Sequence, residues 1–386
     1  MTTIVLQKSL SAANVFRCLD CGKCTAVCPI SRYNGTYSPR RLVGRMMNGD
    51  PANVAVDPAV WTCLTCGLCN TRCPSDVKYS ALTRTIRAEA FRYKNLPSCS
   101  HGGALQAAMR IMATADHPQE RMDWVTDDLR IAQKGEWAYF VGCLPYFDAM
   151  FSDLGTNSTE IARSTVRILN ELGVEPVVFK DERCCGHDLL WGGDVEHFQL
   201  LAQRNVKMIR DSGVKKVVTA CPECYRTLAL DYPQVVGPLG FEVIYLTEFL
   251  AAVQEQLQKK LGSIKRTVTY QDPCRLGRHM GIYNSPRTMI NSIPGVHFNE
   301  MTRSGPGAIC CGTSAWQNCD ATSKRIQTDR LLGANAVGAE LLITSCPKCY
   351  VHFSCALQGD TIPAEKKIEV KDLTVLLASA LTGGLT

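Results

Sequence analysis

Residues 216–224 read Lys-Val-Val-Thr-Ala-Cys-Pro-Glu-Cys, and residues 341–349 read Leu-Leu-Ile-Thr-Ser-Cys-Pro-Lys-Cys. Each is a short apolar and β-branched run that stops at a Cys-Pro-x-Cys, with proline placed to open a helix. A strand passing into a helix N-terminus is half of an α/β unit. It also sets a thiol where free N–H groups and the helix dipole favour the thiolate. Upstream of the first stretch, Trp137–Val141 reads as a strand ending near Cys143. Thr159–Leu172 follows as a helix, then Glu175–Phe179 as a strand leading to Cys184-Cys185-Gly186, then Val195–Asp211 as a helix. Downstream, Glu242–Tyr245 and Thr247–Leu257 read as a strand and a helix. The pattern then repeats. Arg266–Tyr270 leads to Cys274, Val296–Asn299 to Cys310-Cys311-Gly312, and Glu340–Thr344 to Cys346 and Cys349. Matching cysteines recur 125 to 131 residues on, which signals an internal duplication. Two α/β lobes with mostly parallel sheets and pseudo-two-fold symmetry are expected, with a ligand site in the cleft between them.

The N-terminal part follows another rule. Cys18, Cys21, Cys24 and Cys28-Pro29, then Cys63, Cys66, Cys69 and Cys73-Pro74, are two runs of C-x2-C-x2-C-x3-C-P. Three cysteines at i, i+3 and i+6 on a tight loop reach three corners of one [4Fe–4S] cubane, while the fourth serves the neighbouring cubane. This predicts one cubane on Cys18, Cys21, Cys24 and Cys73, and another on Cys63, Cys66, Cys69 and Cys28. Structural zinc is the alternative, but it needs four ligands in all, and four cysteines per run exceed that. The spacer between the runs, with Arg40, Arg41 and Arg45, reads as a helix whose arginines either shield cluster charge or face solvent. The expected fold class is therefore α+β multi-domain. Residues 1–97 form a helical two-cluster ferredoxin domain, 98–135 a connector, and 136–262 and 263–386 the two lobes.

Composition agrees. A chain of 386 residues with 46% hydrophobic residues can bury several cores without needing 21 cysteines as disulfides. Thiolate metal ligands in a cytoplasmic setting fit better, since the N-terminus lacks the features of a signal peptide and no apolar run reaches membrane-spanning length. The net charge of +6 is offset by anionic clusters, and no Lys/Arg-rich run points to nucleic acid. Neither a Rossmann glycine fingerprint nor another flavin site is present.

With Asp272-Pro273-Cys274-Arg275-Leu276-Gly277-Arg278 and Gly281-Ile282-Tyr283 added to the cysteine pattern, the sequence resembles the family of the cysteine-rich Cys-Cys-Gly domain. Its domain order looks like the D subunit of heterodisulfide reductase, equivalent to fused C and B subunits. The resemblance implies a noncubane [4Fe–4S] cluster on Cys143, Cys184, Cys185, Cys221 and Cys224. It implies a second on Cys274, Cys310, Cys311, Cys346 and Cys349, the pair facing a disulfide substrate across the lobe interface. It also implies a hetero-oligomeric complex with a flavin-containing partner, a heterodisulfide reductase A-like protein or another flavoprotein dehydrogenase, so that FAD sits on the partner. The same domain order resembles relay subunits of glycolate, lactate and glycerol-3-phosphate oxidation and of electron-bifurcating acyl-coenzyme A reductases. His187, Asp188, His279, Arg275 and Arg278 are candidates to contact a cluster or substrate, although ordinary loop roles are the alternative for the histidines. Three cysteines remain, Cys99, Cys319 and Cys355, read as small buried hydrophobes.

Overall fold

In a computed structural model the described residues are 3–49, 51–114 and 117–381, with side chains not described at 3–7 and 51–52. The outer ends of the expected first and last domains therefore lie outside the described residues. The fold mixes helices with two parallel sheets behind a helical N-terminal domain.

That N-terminal domain is built from short helices, Lys23–Val27, Pro29–Tyr33 and Pro39–Asn48, followed by the longer Tyr79–Arg92. The spacer helix is Pro39–Asn48, opened by proline and capped by Ser38, whose hydroxyl accepts the Arg41 N–H at 3.2 Å. Its Leu42, Val43 and Met46 are buried, and its arginines turn outward. Arg40 lies 3.6 Å from Asp20 beside the first cysteine loop, while Arg45 pairs with Asp57.

The first sheet has strands β1 (Trp137–Tyr139), β2 (Lys216–Thr219) and β3 (Glu242–Tyr245), in the order β1-β2-β3. The second has β4 (Arg266–Gln271), β5 (Val296–Phe298), β6 (Leu341–Thr344) and β7 (Glu369–Asp372), in the order β5-β4-β6-β7. All pairings are parallel. The expected strand Glu175–Phe179 shrinks to two isolated bridges made by Val177, one to Ala132 and one to Ala138, the second flanking β1 where β5 flanks β4. With that substitution the two strand orders correspond. The helices pair crosswise as well. Thr159–Glu171 packs on Leu373–Leu381, and Asn284–Asn291 packs on Leu246–Ala252.

The stretch read as a connector contains the helix Ala104–Ala113. Its Leu105, Met109 and Met112 lie at i, i+4 and i+7 and are buried in the same core as Ala138 and Phe140. The expected helix Thr247–Leu257 is broken at Val253 into Leu246–Ala252 and Gln254–Gln258. No described helix is long and apolar enough to cross a membrane.

Candidate metal centres

No disulfide joins any of the 21 cysteines. In the N-terminal domain, Cys18, Cys21, Cys24 and Cys73 line one cavity, together with Cys69. Cys28, Cys63, Cys66 and Cys69 line a second. Each run thus sends its fourth cysteine to the other run's cavity. Backbone N–H groups point at the sulfurs: Asp20 donates to Cys18 Sγ at 3.4 Å, Thr65 to Cys63 Sγ at 3.2 Å and Val77 to Cys73 Sγ at 3.3 Å. Such donors stabilise thiolate over thiol, so this donor set fits an iron–sulfur group. The first cavity opens to solvent through the exposed Cys21, whereas Cys63 and Cys66 are buried. Burial, with Cys63 and Cys66 nearby, pushes the Cys28 thiol up to about 12.

The later cysteines form two groups. In the first lobe Cys143 Sγ lies 3.1 Å from Cys184 Sγ, and sulfur contacts continue from Cys184 to Cys185, Cys224 and Cys221. In the second, the contacts run from Cys274 to Cys310, Cys311, Cys349 and Cys346. Cys66 of the N-terminal domain also reaches Cys310, so the inner cavity adjoins the second group. The glycine after each cysteine pair is needed for its backbone. Gly186 has φ +76° and Gly312 φ +103°, and a Cβ at Gly186 would come within 2.9 Å of Phe198.

Sequence reasoning missed the residues that hold the first group. Glu182 accepts the N–H groups of Val141 at 3.0 Å and Gly142 at 2.7 Å, and pairs with Arg121 at 2.9 Å. This fastens the chain leading into Cys143 against the loop that carries Cys184. Burial raises the Glu182 carboxyl to about 7 against the pull of Arg121.

Between the two groups the variable residues of the Cys-Pro-x-Cys motifs meet. Lys348 Nζ lies 2.7 Å from Glu223 and also pairs with Asp188. His187 Nδ1 bonds Asp188 at 2.8 Å, and its Nε2 accepts from Arg275 Nε at 2.9 Å. Arg275 reaches on to the N-terminal domain, donating to Thr65 O at 2.6 Å and Thr65 Oγ1 at 2.7 Å, and sits 2.9 Å from His279 Nε2. Below it the buried Trp191 ring lies 4.1 Å from the Arg275 guanidinium and 4.9 Å from that of Arg226. His187, Asp188, Arg275 and His279, singled out from sequence, thus come together. Arg278 instead bonds the Cys66 and Ala308 carbonyls. Burial holds His187 well below its ordinary pKa, and burial with Arg275 and Arg226 does the same to His279, so both rings are neutral. Burial opposes the Lys348 charge, but Asp188 and Glu223 outweigh it and keep the ammonium on. That ammonium meets the charge of the two carboxylates that, with His187, otherwise present a cation-sized set of ligand atoms. Opposite charges at matched motif positions, Glu223 and Lys348, were the one signal in the sequence. None of Cys99, Cys319 and Cys355 is fully buried, contrary to expectation, and Cys319 is exposed.

Comparison with known proteins adds the kinship. Residues 137–229 and 268–354 both match the cysteine-rich domain (CCG) model, and residues 14–77 match a 4Fe-4S dicluster domain. Over 274 residues the chain is 35% identical to the D subunit of the dihydromethanophenazine:CoB–CoM heterodisulfide reductase of Methanosarcina barkeri, covering 68% of this chain and 63% of that one. It is 30% identical over 260 residues to the EtfAB:quinone oxidoreductase of Syntrophomonas wolfei, covering 64% of this chain and 34% of that protein. A hypothetical protein from Helicobacter pylori shares the fold, with a TM-score of 0.57 at 12% identity over 92% of this chain and 70% of that one. The chain belongs to the cysteine-rich-domain iron–sulfur family that includes the D subunit of heterodisulfide reductase.

Proposed function

We propose that this chain is the iron–sulfur electron-transfer subunit of a heterodisulfide reductase-like redox complex. The observation that carries the reading is the convergence of two five-cysteine groups, one from each lobe, on one buried polar centre. In this reading Cys18, Cys21, Cys24 and Cys73 hold an outer cubane, and Cys63, Cys66, Cys69 and Cys28 an inner one. Cys143, Cys184, Cys185, Cys221 and Cys224 hold one noncubane cluster, and Cys274, Cys310, Cys311, Cys346 and Cys349 the other. The corresponding strand orders and the crosswise helix packing support two duplicated lobes about a pseudo-two-fold axis. Clusters held on these cysteines supply one-electron transfer.

The chain's own groups then have defined tasks. The exposed Cys21 loop marks the surface where a flavoprotein partner delivers or collects electrons, FAD being carried by that partner. Thr65 and Arg275 tie the inner cavity to the interlobe centre. Reductive cleavage of a disulfide takes two electrons and two protons and gives two thiols. Lys348, held charged, is placed to stabilise a thiolate there, and neutral His187 accepts from Arg275 at Nε2. His187, His279 and Arg275 position that centre. A cytoplasmic location belongs to the same reading.

The test is iron and acid-labile sulfide analysis of anaerobically purified protein, with about sixteen of each per chain expected for four [4Fe–4S] clusters. Zinc without sulfide would overturn the reading. A second reading, a relay without disulfide chemistry, is favoured by the Glu223–Lys348 contact, which fills the point where the lobes meet, and by the likeness to the EtfAB:quinone oxidoreductase. EPR of the oxidised protein decides between them. A new paramagnetic state on adding thiol supports the disulfide reading, and its absence supports the relay.

A further inference from the structure

We propose that a cavity outside the interlobe centre binds a small oxyanion-bearing organic molecule, a phosphate ester or carboxylate with an apolar body. One wall is formed by the N-terminal helices Lys23–Val27 and Pro29–Tyr33. The other is formed by the second lobe, through helix Ala321–Asn335 and the loop at 301–309. The space between them is about 540 Å³, the size of a small-molecule site.

Its chemistry is two-sided. Val27, Pro29, Met301, Ile309 and Ile326 give it an apolar floor. Arg32, Arg303 and Arg330 give it positive charge, with Asp329 the one acidic side chain among the lining residues. Arg330 is only 4% exposed. Its Nε donates to Gln271 at 2.8 Å and its Nη1 to the Arg303 carbonyl at 3.1 Å, yet its Nη2 has no partner. A buried guanidinium N–H without an acceptor is costly unless a ligand supplies one. The positive charge is also crowded. Burial and the neighbouring Arg32, Arg72 and Arg278 pull the Arg303 pKa down, as expected of like charges held close together.

Shielding of cluster charge does not account for the whole set. Arg278 lies beside Cys66, Cys274 and Cys310, and Arg330 also feels Cys310. Arg32 and Arg303 belong to the cavity, which touches the cysteine groups only through Cys28. Guanidinium forks match planar and tetrahedral oxyanions, and the apolar floor adds affinity for an organic body over a bare ion. The site therefore stands on the cavity and its charges, independently of whether the interlobe centre performs disulfide chemistry.

The experiment is isothermal titration of the cluster-loaded chain with inorganic phosphate and with phenyl phosphate, after iron content and EPR signals have been verified. One saturable site per chain is expected, tighter for phenyl phosphate. Because Arg330 is buried and R330Q risks misfolding, the variants are R303Q and R32Q, with R303K as the conservative change and R45Q as a remote control. R303Q should weaken binding about tenfold or more, R303K less, and R45Q not at all. Lack of saturable binding to protein with intact clusters, or equal binding by wild type, R303Q and R32Q, overturns the proposal. Loss of the clusters themselves would instead overturn the functional reading above.

Discussion

Glu182 is a carboxylate cut off from water, and its oxygens are engaged by one arginine and two peptide N–H groups. Arg121, 2% exposed, completes the arrangement by donating to the carbonyls of Gly142 at 2.7 Å and Glu182 at 2.8 Å. Removing Arg121 leaves the Glu182 carboxyl, already raised to about 7 by burial, to stay buried as an orphan ion or to take up a proton. Either costs far more than the pair contributes over an apolar substitute. Arg121→Met should therefore destabilise the protein by about 3–5 kcal/mol in anaerobic urea unfolding. The double variant R121M/E182L should recover part of that loss, because it removes the orphan charge as well. A single variant within about 1 kcal/mol of wild type would show that the pair does not hold the Cys143 segment. At the same scale, Lys348→Met leaves Asp188 and Glu223 facing each other without the ammonium. A smaller thiol-induced EPR signal with unchanged iron content is the expected outcome if Lys348 stabilises a thiolate, and an unchanged signal would remove that role.

At the scale of elements, β7 carries a titration of its own. Asp372 ends the strand fully buried, accepting the Thr374 N–H at 2.9 Å through Oδ1 while Oδ2 has no partner. Burial pushes its carboxyl up to about 7, from 3.8 for an ordinary aspartate. The native state thus holds a proton that the unfolded chain has already released at intermediate pH. Stability from this group is complete below about pH 4 and is lost as pH rises towards 7. Asp372→Asn should flatten the Tm profile across that window and raise Tm above pH 7, which thermal unfolding at pH 5, 6, 7 and 8 would reveal. Superimposable profiles would assign the titration elsewhere. The same strand shows what sequence leaves obscure. Lys-Val-Val-Thr and Leu-Leu-Ile-Thr announce β2 and β6, central strands that read as apolar runs. Glu-Val-Lys-Asp, with three charges in four residues and a helix following at once, gives no such sign of β7. The connector helix was overlooked for another reason: Ala-Leu-Gln-Ala-Ala-Met-Arg-Ile-Met-Ala is largely apolar and buries five residues, but it is short and set between polar stretches.

Across the whole molecule, cysteine spacing was legible because the geometry of a metal loop is local, while the contacts that join the parts are not. Lys348 pairs with Asp188 across 160 residues, and Arg275 meets Thr65 across 210, distances at which one sequence carries no pattern. The cores are shared in the same way. One runs from Leu42, Trp61 and Leu64 of the N-terminal domain to Leu342 and Phe353 of the second lobe, and another joins Tyr139 and Val218 to Tyr270 and Ile343 across the lobes. Arg87 is the fastener between the N-terminal domain and the first lobe. Wholly buried, it donates to the carbonyls of Val60 at 3.0 Å, Trp61 at 2.9 Å, Cys63 at 2.6 Å and Trp191 at 3.2 Å. It thereby fixes the loop that begins at Cys63 against Trp191, the ring beneath Arg275. Lysine keeps the charge but has a single nitrogen, so Arg87→Lys leaves buried carbonyls unsatisfied at about 1–3 kcal/mol each. The expected result is a lower Tm and a changed reduction potential for the inner N-terminal cluster, with the outer one unaffected. Potentiometric EPR titration separates the two. Equal shifts of both N-terminal clusters would mean that Arg87 acts on the domain as a whole, and a lower Tm with neither potential changed would mean that it only supports the fold.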